Sequence, residues 1–275
     1  MDQLPEDILT YLVGTIQPEM LLIASHVSKD WNELFVQKDL VDQSKIMLRL
    51  ISYGYLESIK YLQSINYLWP EKACNAAARN GHLEVLKYLH ENGCPWDKWS
   101  CFHTAGTGHL EVLKYLHENG CPWDKSVCAY AAERTGNLEV LKYLYENGCP
   151  WDESVCFGAA SSGHLEVLKY LHENGCPWDW RACYIAASSG NLEVLKYLYE
   201  NGCPWNELLC SYAALNGHLE VLKYLHENGC PWDWRACYSA EGSGNLEVLK
   251  YLHENGCKMG VLGVKKVLVF TKLLQ

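Results

Sequence analysis

The chain has 275 residues and a formal net charge of −10 at pH 7, with 49% hydrophobic and 20% charged residues. That composition is globular rather than disordered, and the acidic balance argues against a broad surface for nucleic acid or anionic lipid, which needs clustered Lys and Arg. No run of residues approaches the roughly 18 apolar positions of a membrane-spanning helix, and the start, Met1-Asp2-Gln3-Leu4, lacks the basic and apolar regions of a secretory signal.

Residues 1–40 follow no repeat. Leu4-Pro5 opens the segment, Ile8-Leu9 and Leu12 follow, Leu21-Leu22 form a central pair, and Val27 and Trp31 close it. In that order the residues resemble the F-box motif over about 35 positions. The resemblance implies a small helical domain that docks on the Skp-type adaptor of a cullin-RING ubiquitin ligase. Leu4, Pro5, Ile8, Leu9, Leu12 and Trp31 would then be the adaptor-binding residues. The competing reading is a helical cap that shields the first repeat, which stacked repeat proteins need in any case.

From residue 41 to 257 the chain is periodic. The string Leu-Glu-Val-Leu-Lys-Tyr-Leu-His/Tyr-Glu-Asn-Gly-Cys starts at Leu83, Leu110, Leu138, Leu165, Leu192, Leu219 and Leu246. The spacing is 27 residues with a single interval of 28, and a degenerate copy begins at Leu56. A fixed period of this size means stacked units, each burying its apolar face against its neighbours. Within the string, Leu83, Val85, Leu86, Tyr88 and Leu89 form the broad stripe of an amphipathic helix. Glu84 sits in its first turn, where the helix dipole favours an anion. Glu84 with Lys87, and Lys87 with Glu91, are spaced for ion pairs. Asn92-Gly93 supplies a left-handed stop and Pro95 prevents continuation.

Before each string lies a short Ala-rich segment, such as Cys128-Ala129-Tyr130-Ala131-Ala132-Glu133-Arg134, which predicts a first helix. The alanine pairs (Ala77-Ala78, Ala131-Ala132, Ala159-Ala160, Ala186-Ala187, Ala213-Ala214) predict close helix approach. Glu133-Arg134-Thr135-Gly136 carries one residue more than its counterparts, and this turn between helices is expected to bulge locally without breaking the stack.

The period also falls in the leucine-rich range, but that pattern needs Asn eight residues after the first Leu, and Glu91 stands there. The unit Ala-Ala-x-x-Gly-His-Leu-Glu-Val-Leu-Lys-Tyr-Leu-x-Glu-Asn-Gly-Cys instead resembles the ankyrin repeat, with Cys94 and its equivalents in the place of the family's turn Ala. The resemblance covers residues 45–257 and implies a helix-turn-helix stack that binds proteins. It departs from the family in two ways: Cys replaces the Leu of the family's Thr-Pro-Leu-His start, and the unit is about six residues short of the usual ~33. The shortening falls in the loop that forms the family's β-hairpin finger. The expected architecture is therefore an all-α, ankyrin-like solenoid of about eight short repeats with stubby loops, after a helical F-box-like domain. Short units carrying Gly-Cys-Pro-Trp-Asp are similar to those of large DNA viruses of amoebae and of some protists, in which case the compartment would be that of the host cell.

Fourteen cysteines fall in two columns, Cys94, Cys121, Cys149, Cys176, Cys203, Cys230 and Cys257, and Cys74, Cys101, Cys128, Cys156, Cys183, Cys210 and Cys237. An intracellular location, cytoplasmic or nuclear, makes disulfides unexpected. Cys-x6-Cys is not a zinc spacing and no histidine recurs to complete one. The columns read as small buried apolar residues, with no metal and no cofactor expected; the competing reading is a metal- or redox-responsive solenoid that uses both columns. A tryptophan column (Trp69, Trp96, Trp123, Trp151, Trp178, Trp205, Trp232) is expected to cover the seams between repeats.

The copies differ just after the Asp of Cys-Pro-Trp-Asp and along the first helix. Trp99, His103, Tyr130, Arg134, Ile185 and Tyr212 are the variable candidates for target binding. Trp180-Arg181 and Trp234-Arg235 join them, since Trp beside Arg suits an interface anchor. No phosphate loop, nucleophile elbow or carboxylate pair lies outside the copied scaffold, so no enzymatic activity is expected. Residues 258–275 break the pattern as a divergent, apolar and basic tail.

Overall fold

The computed structural model describes residues 43–64, 66–258 and 269. The F-box-like positions Leu4 to Trp31 and nearly all of the tail lie outside these. Among the described residues there are sixteen helices and no strand. No described helix is long and apolar enough to cross a membrane.

The chain divides into two compact units between Trp123 and Asp124. The first contains α1 (Gln43–Tyr53), α2 (Leu56–Ser64), α3 (Ala73–Arg79), α4 (Leu83–Glu91), α5 (Lys98–Thr107) and α6 (Leu110–Glu118). The second begins with α7 (Lys125–Arg134), α8 (Leu138–Glu146), α9 (Glu153–Ser162), α10 (Leu165–Glu173) and α11 (Trp180–Ser189). It continues through α12 (Leu192–Glu200), α13 (Leu208–Leu215), α14 (Leu219–Glu227), α15 (Trp234–Ser243) and α16 (Leu246–Glu254). In each unit odd-numbered helices pack on one another in chain order, and each also packs on the even-numbered helix that follows it. That is an ankyrin-like stack of helix pairs.

Alanine explains why the odd-numbered helices come so close. Ala77, Ala78, Ala131, Ala132, Ala159, Ala160, Ala186 and Ala187 have no exposed surface. From α4 onward the even-numbered helices bury Val and two Leu each, as in Val194, Leu195 and Leu198 of α12, while α2 buries Ser58, Ile59 and Leu62. Lys87 pairs with Glu84 at 2.9 Å, and the equivalent i,i+3 pair recurs in α6, α8, α10, α12 and α14. In α16 Lys250 turns to Glu254 instead, at 3.9 Å.

Helices α5, α7, α9, α11 and α15 start earlier than their small residues suggest, because the Asp of Cys-Pro-Trp-Asp is the N-cap. Asp97, Asp124, Asp152, Asp179 and Asp233 sit in extended backbone and accept the N–H two residues on, satisfying a donor that the first turn leaves open. Asn206 takes the same place before α13 and accepts from Leu208 N at 3.1 Å.

Glycine ends the helices and also fits the stack together. Gly190, at φ +78, lies under the ring of His218 in the next repeat: a Cβ there would stand 2.7 Å from His218 Nδ1. The ring then reaches over the glycine, and His218 Nε2 meets Ser188 O at 3.0 Å. His82 does the same to Ser52 O at 2.9 Å, and Asn191 replaces the histidine with two 2.9 Å bonds from its Nδ2 to Ala160 O and Ser161 O. Thr135 perturbs one such lock. Gly136 narrows to φ +56, and His164 Nε2 is left buried with no partner. Helix α7 still packs on both α8 and α9, so the insertion is absorbed in the turn as expected.

The tryptophans cover the seams. Trp178 stacks on His172 of its own repeat with centroids 4.0 Å apart and presents an edge to Tyr197 of the next at 6.2 Å. His172 Nδ1 closes the triangle with the Tyr197 hydroxyl at 3.0 Å. The same triangle forms at His90, Trp96 and Tyr115 and at His226, Trp232 and Tyr251. Tyr145 and Tyr199 replace the histidine beside Trp151 and Trp205.

Both cysteine columns are buried. One pair departs from the expectation that none would be bridged: Cys237 and Cys257 form a disulfide, with Cα atoms 6.4 Å apart.

Candidate protein-binding surface

The repeated string, nearly constant from α4 onward, occupies the even-numbered helices, so most of what distinguishes one repeat from another is carried by the odd-numbered ones. In the first unit α1, α3 and α5 stand side by side around an open groove of about 850 Å³. Leu48 and Ser52 of α1 form one wall, Asn75 and Arg79 of α3 the floor, and Asp97, Trp99 and His103 the far wall. The N-cap bond from Trp99 N to Asp97 Oδ1, 3.0 Å, fixes the first turn of α5 and with it the Trp99 ring.

Trp99 is 46% exposed. Its indole lies on His103 one turn later, centroids 6.1 Å apart and nearly parallel, and makes an edge contact with Phe102. Lys98 Nζ lies 5.4 Å from the indole centroid, close enough for cation–π attraction. Burial pushes the His103 imidazole below its usual range, the Arg79 guanidinium pushes it further, and Asp97 acts the other way. Burial and Arg79 both favour the neutral imidazole, and the groove is lined by the Trp99 and His103 rings together with Arg79 and Asp97. Such a surface suits a peptide or loop with an apolar side chain flanked by polar groups.

The second unit carries a different surface on its odd-numbered helices. Trp180, 43% exposed, is linked through Tyr184 at 6.0 Å to Tyr212 at 4.5 Å, so three rings bridge α11 and α13. Ile185 lies half-buried on α11. Trp234 is 61% exposed and Tyr238 69%, with centroids 6.1 Å apart on α15. Tyr130 and Arg134 meet on α7, the guanidinium 6.0 Å from the ring.

The two arginines beside tryptophan are engaged inside the stack. Arg181 Nε donates a bifurcated bond to both carboxylate oxygens of Asp179, at 2.8 Å and 3.1 Å, and Nη2 reaches Glu153 of the preceding repeat at 3.0 Å. Arg235 pairs with Asp233 at 2.7 Å and approaches Glu207 at 3.8 Å. Of the sequence candidates, Trp99 and His103 come together in one groove, Trp180 and Tyr212 in one aromatic strip, and Trp234, Tyr130 and Arg134 in smaller clusters. Tyr184 and Tyr238 were not singled out, although the shared string Trp-Arg-Ala-Cys-Tyr places each one helical turn after an exposed Trp. Among the described residues no group of three or more His, Cys, Asp or Glu is placed to hold a metal ion.

The family model for ankyrin repeats matches three times, over residues 37–127, 128–208 and 184–262. The chain belongs to the ankyrin-repeat family. Comparison with curated proteins returns no match. Ankyrin repeats are protein–protein interaction modules.

Proposed function

We propose that this ankyrin protein is a substrate-receptor adaptor. Its repeats hold a target protein, and the F-box-like segment at residues 4–31 recruits the Skp-type adaptor of a cullin-RING ubiquitin ligase. The observation that carries the target half is the groove on α1, α3 and α5, where residues that vary between repeats converge while the scaffold string stays on the other helices. Support for the ligase half comes from the order of Leu4-Pro5, Ile8-Leu9, Leu21-Leu22 and Trp31 ahead of the first repeat. The cytoplasm or nucleus is the matching compartment, and the target is recognised without catalysis.

The test is binding of the purified chain to a eukaryotic Skp adaptor, with Leu9→Asp as control. Saturable binding that the variant loses supports the adaptor. A folded wild-type chain that does not bind leaves a non-catalytic ankyrin scaffold whose first 40 residues only cap the stack.

A further inference from the structure

Read along the chain, the nearest cysteines are seven residues apart, as in Cys94 and Cys101. The fold pairs them otherwise. Each first-helix cysteine meets the loop cysteine at the end of its own repeat, on the far side of the helix pair. Cys74 Sγ reaches Cys94 O at 3.5 Å, and Cys101, Cys156 and Cys183 approach the carbonyls of Cys121, Cys176 and Cys203 at 3.8, 4.0 and 3.9 Å. Cys128 and Cys149 place their sulfurs 2.7 Å apart. Cys210 and Cys230 share the same thiol contact. The last pair, Cys237 and Cys257, is bonded across a separation of 20 residues with a Cα–Cα distance of 6.4 Å, inside the range of about 4.4–6.8 Å that a disulfide spans. Thr135 lengthens the third separation to 21, and those thiols still meet.

We propose that every repeat of this protein carries a dithiol modification site, Cys74–Cys94 through Cys237–Cys257, that a low-molecular-weight disulfide oxidises to an intra-repeat staple. Two features favour reaction within a repeat rather than between repeats. The thiols touch within each repeat, so closing the bond needs no movement of helices. The two columns also differ chemically. The first-helix cysteines are wholly enclosed, whereas the loop cysteines lie at the Gly-Cys-Pro turn, with Cys176 at 5% exposure. The hydrogen bond to the neighbouring sulfur, and then burial, hold Cys156 and Cys183 above the usual thiol range, while the hydrogen bond donated by the first-helix thiol pulls Cys94, Cys121, Cys176 and Cys203 below it. The loop thiolate is the nucleophile.

The chemistry balances. The loop thiolate attacks one sulfur of the small disulfide RSSR and expels a thiolate that takes up its proton. The first-helix thiol then gives up its proton and attacks the protein sulfur of the mixed disulfide, expelling a second thiolate, which is protonated in turn. Two electrons pass from the protein to RSSR, which leaves as two RSH.

The test equilibrates the full-length reduced chain with glutathione disulfide, blocks residual thiols, and maps peptides without reduction by mass spectrometry. The expected result is a set of cross-links confined to partners within a repeat, with loss of two hydrogens per link. Links such as Cys94–Cys101, scrambled links, or fourteen unreacted thiols after equilibration overturn the proposal. Cys156→Ala, which keeps a small apolar group, should leave Cys176 as a stable glutathione adduct with the other pairs still linked. A Cys176 that stays unmodified there, in a chain whose circular dichroism matches wild type, removes its role as nucleophile. If Cys156→Ala does not fold, the wild-type map decides alone.

Discussion

Asp152 shows how much a single side chain does at a repeat junction. It caps α9 through Ser154 N at 2.9 Å and pairs with Lys125 of the preceding repeat at 2.7 Å. The bond from Lys125, with that from Ser154, holds its carboxyl below the usual carboxylate range. A depressed folded value means stability that is present above the unfolded pKa and lost as pH falls through the folded one. Asp152→Ala should cost about 1 kcal/mol at pH 7, and the gap from wild type in urea melts should close as pH drops below roughly 4. Trp99 is the opposite case. Its indole is 46% exposed and its ring contacts are Phe102 and His103 of its own helix, so Trp99→Ala should cost less than the roughly 2–5 kcal/mol of a core truncation. The same change should weaken capture of the target, measured on the folded variant. The Asp cap column is readable in the sequence, since Asp before an Ala-rich helix is a start signal. It escapes notice because the eye follows the alanines, which mark the core of the helix and not its first turn.

Between elements, the glycine under the next repeat's histidine or asparagine is the decisive joint. Gly190 and Gly202 have nearly the same backbone, φ +78 and +80, but only Gly190 faces a neighbour. Gly202→Ala should cost the left-handed backbone term alone, on the order of 1–2 kcal/mol. Gly190→Ala must also move the His218 ring, and its thermal midpoint should fall clearly below that of Gly202→Ala. Equal midpoints would mean that the ring swings away freely. His218→Asn should be nearly neutral, because Asn191 already makes the equivalent bonds to Ala160 and Ser161. Truncating a core leucine such as Leu195, fully buried in α12, should cost roughly 2–5 kcal/mol.

At the scale of the molecule, the fold was legible because one period, one apolar stripe and one alanine pair recur in register, and the tryptophan seams followed from the same alignment. The surface was less so. Variation between repeats pointed to Trp99 and His103 but could not say that Arg181 and Arg235 spend their charge on Glu153 and Glu207, because such pairs join residues 28 apart. The cysteine partners were hidden for a like reason, lying 20 residues apart while the nearest cysteines along the chain are seven apart. Those same long-range matches make the chain recombinable. Asp179-Trp180-Arg181 and Asp233-Trp234-Arg235 are identical in sequence, and Asn245 sits over Gly217 as Asn191 sits over Gly163. Excising residues 180–233 therefore rejoins Asp179 to Trp234 without a foreign junction: Arg235 inherits Glu153, and Asn245 inherits the carbonyls of Ala160 and Ser161. The shortened protein should fold with two repeats fewer and a single cooperative melt of its second unit. Unequal crossing-over at such a junction lengthens or shortens the reading frame in steps that the folded chain accepts, so the number of repeats can change in one generation while every interface keeps its chemistry.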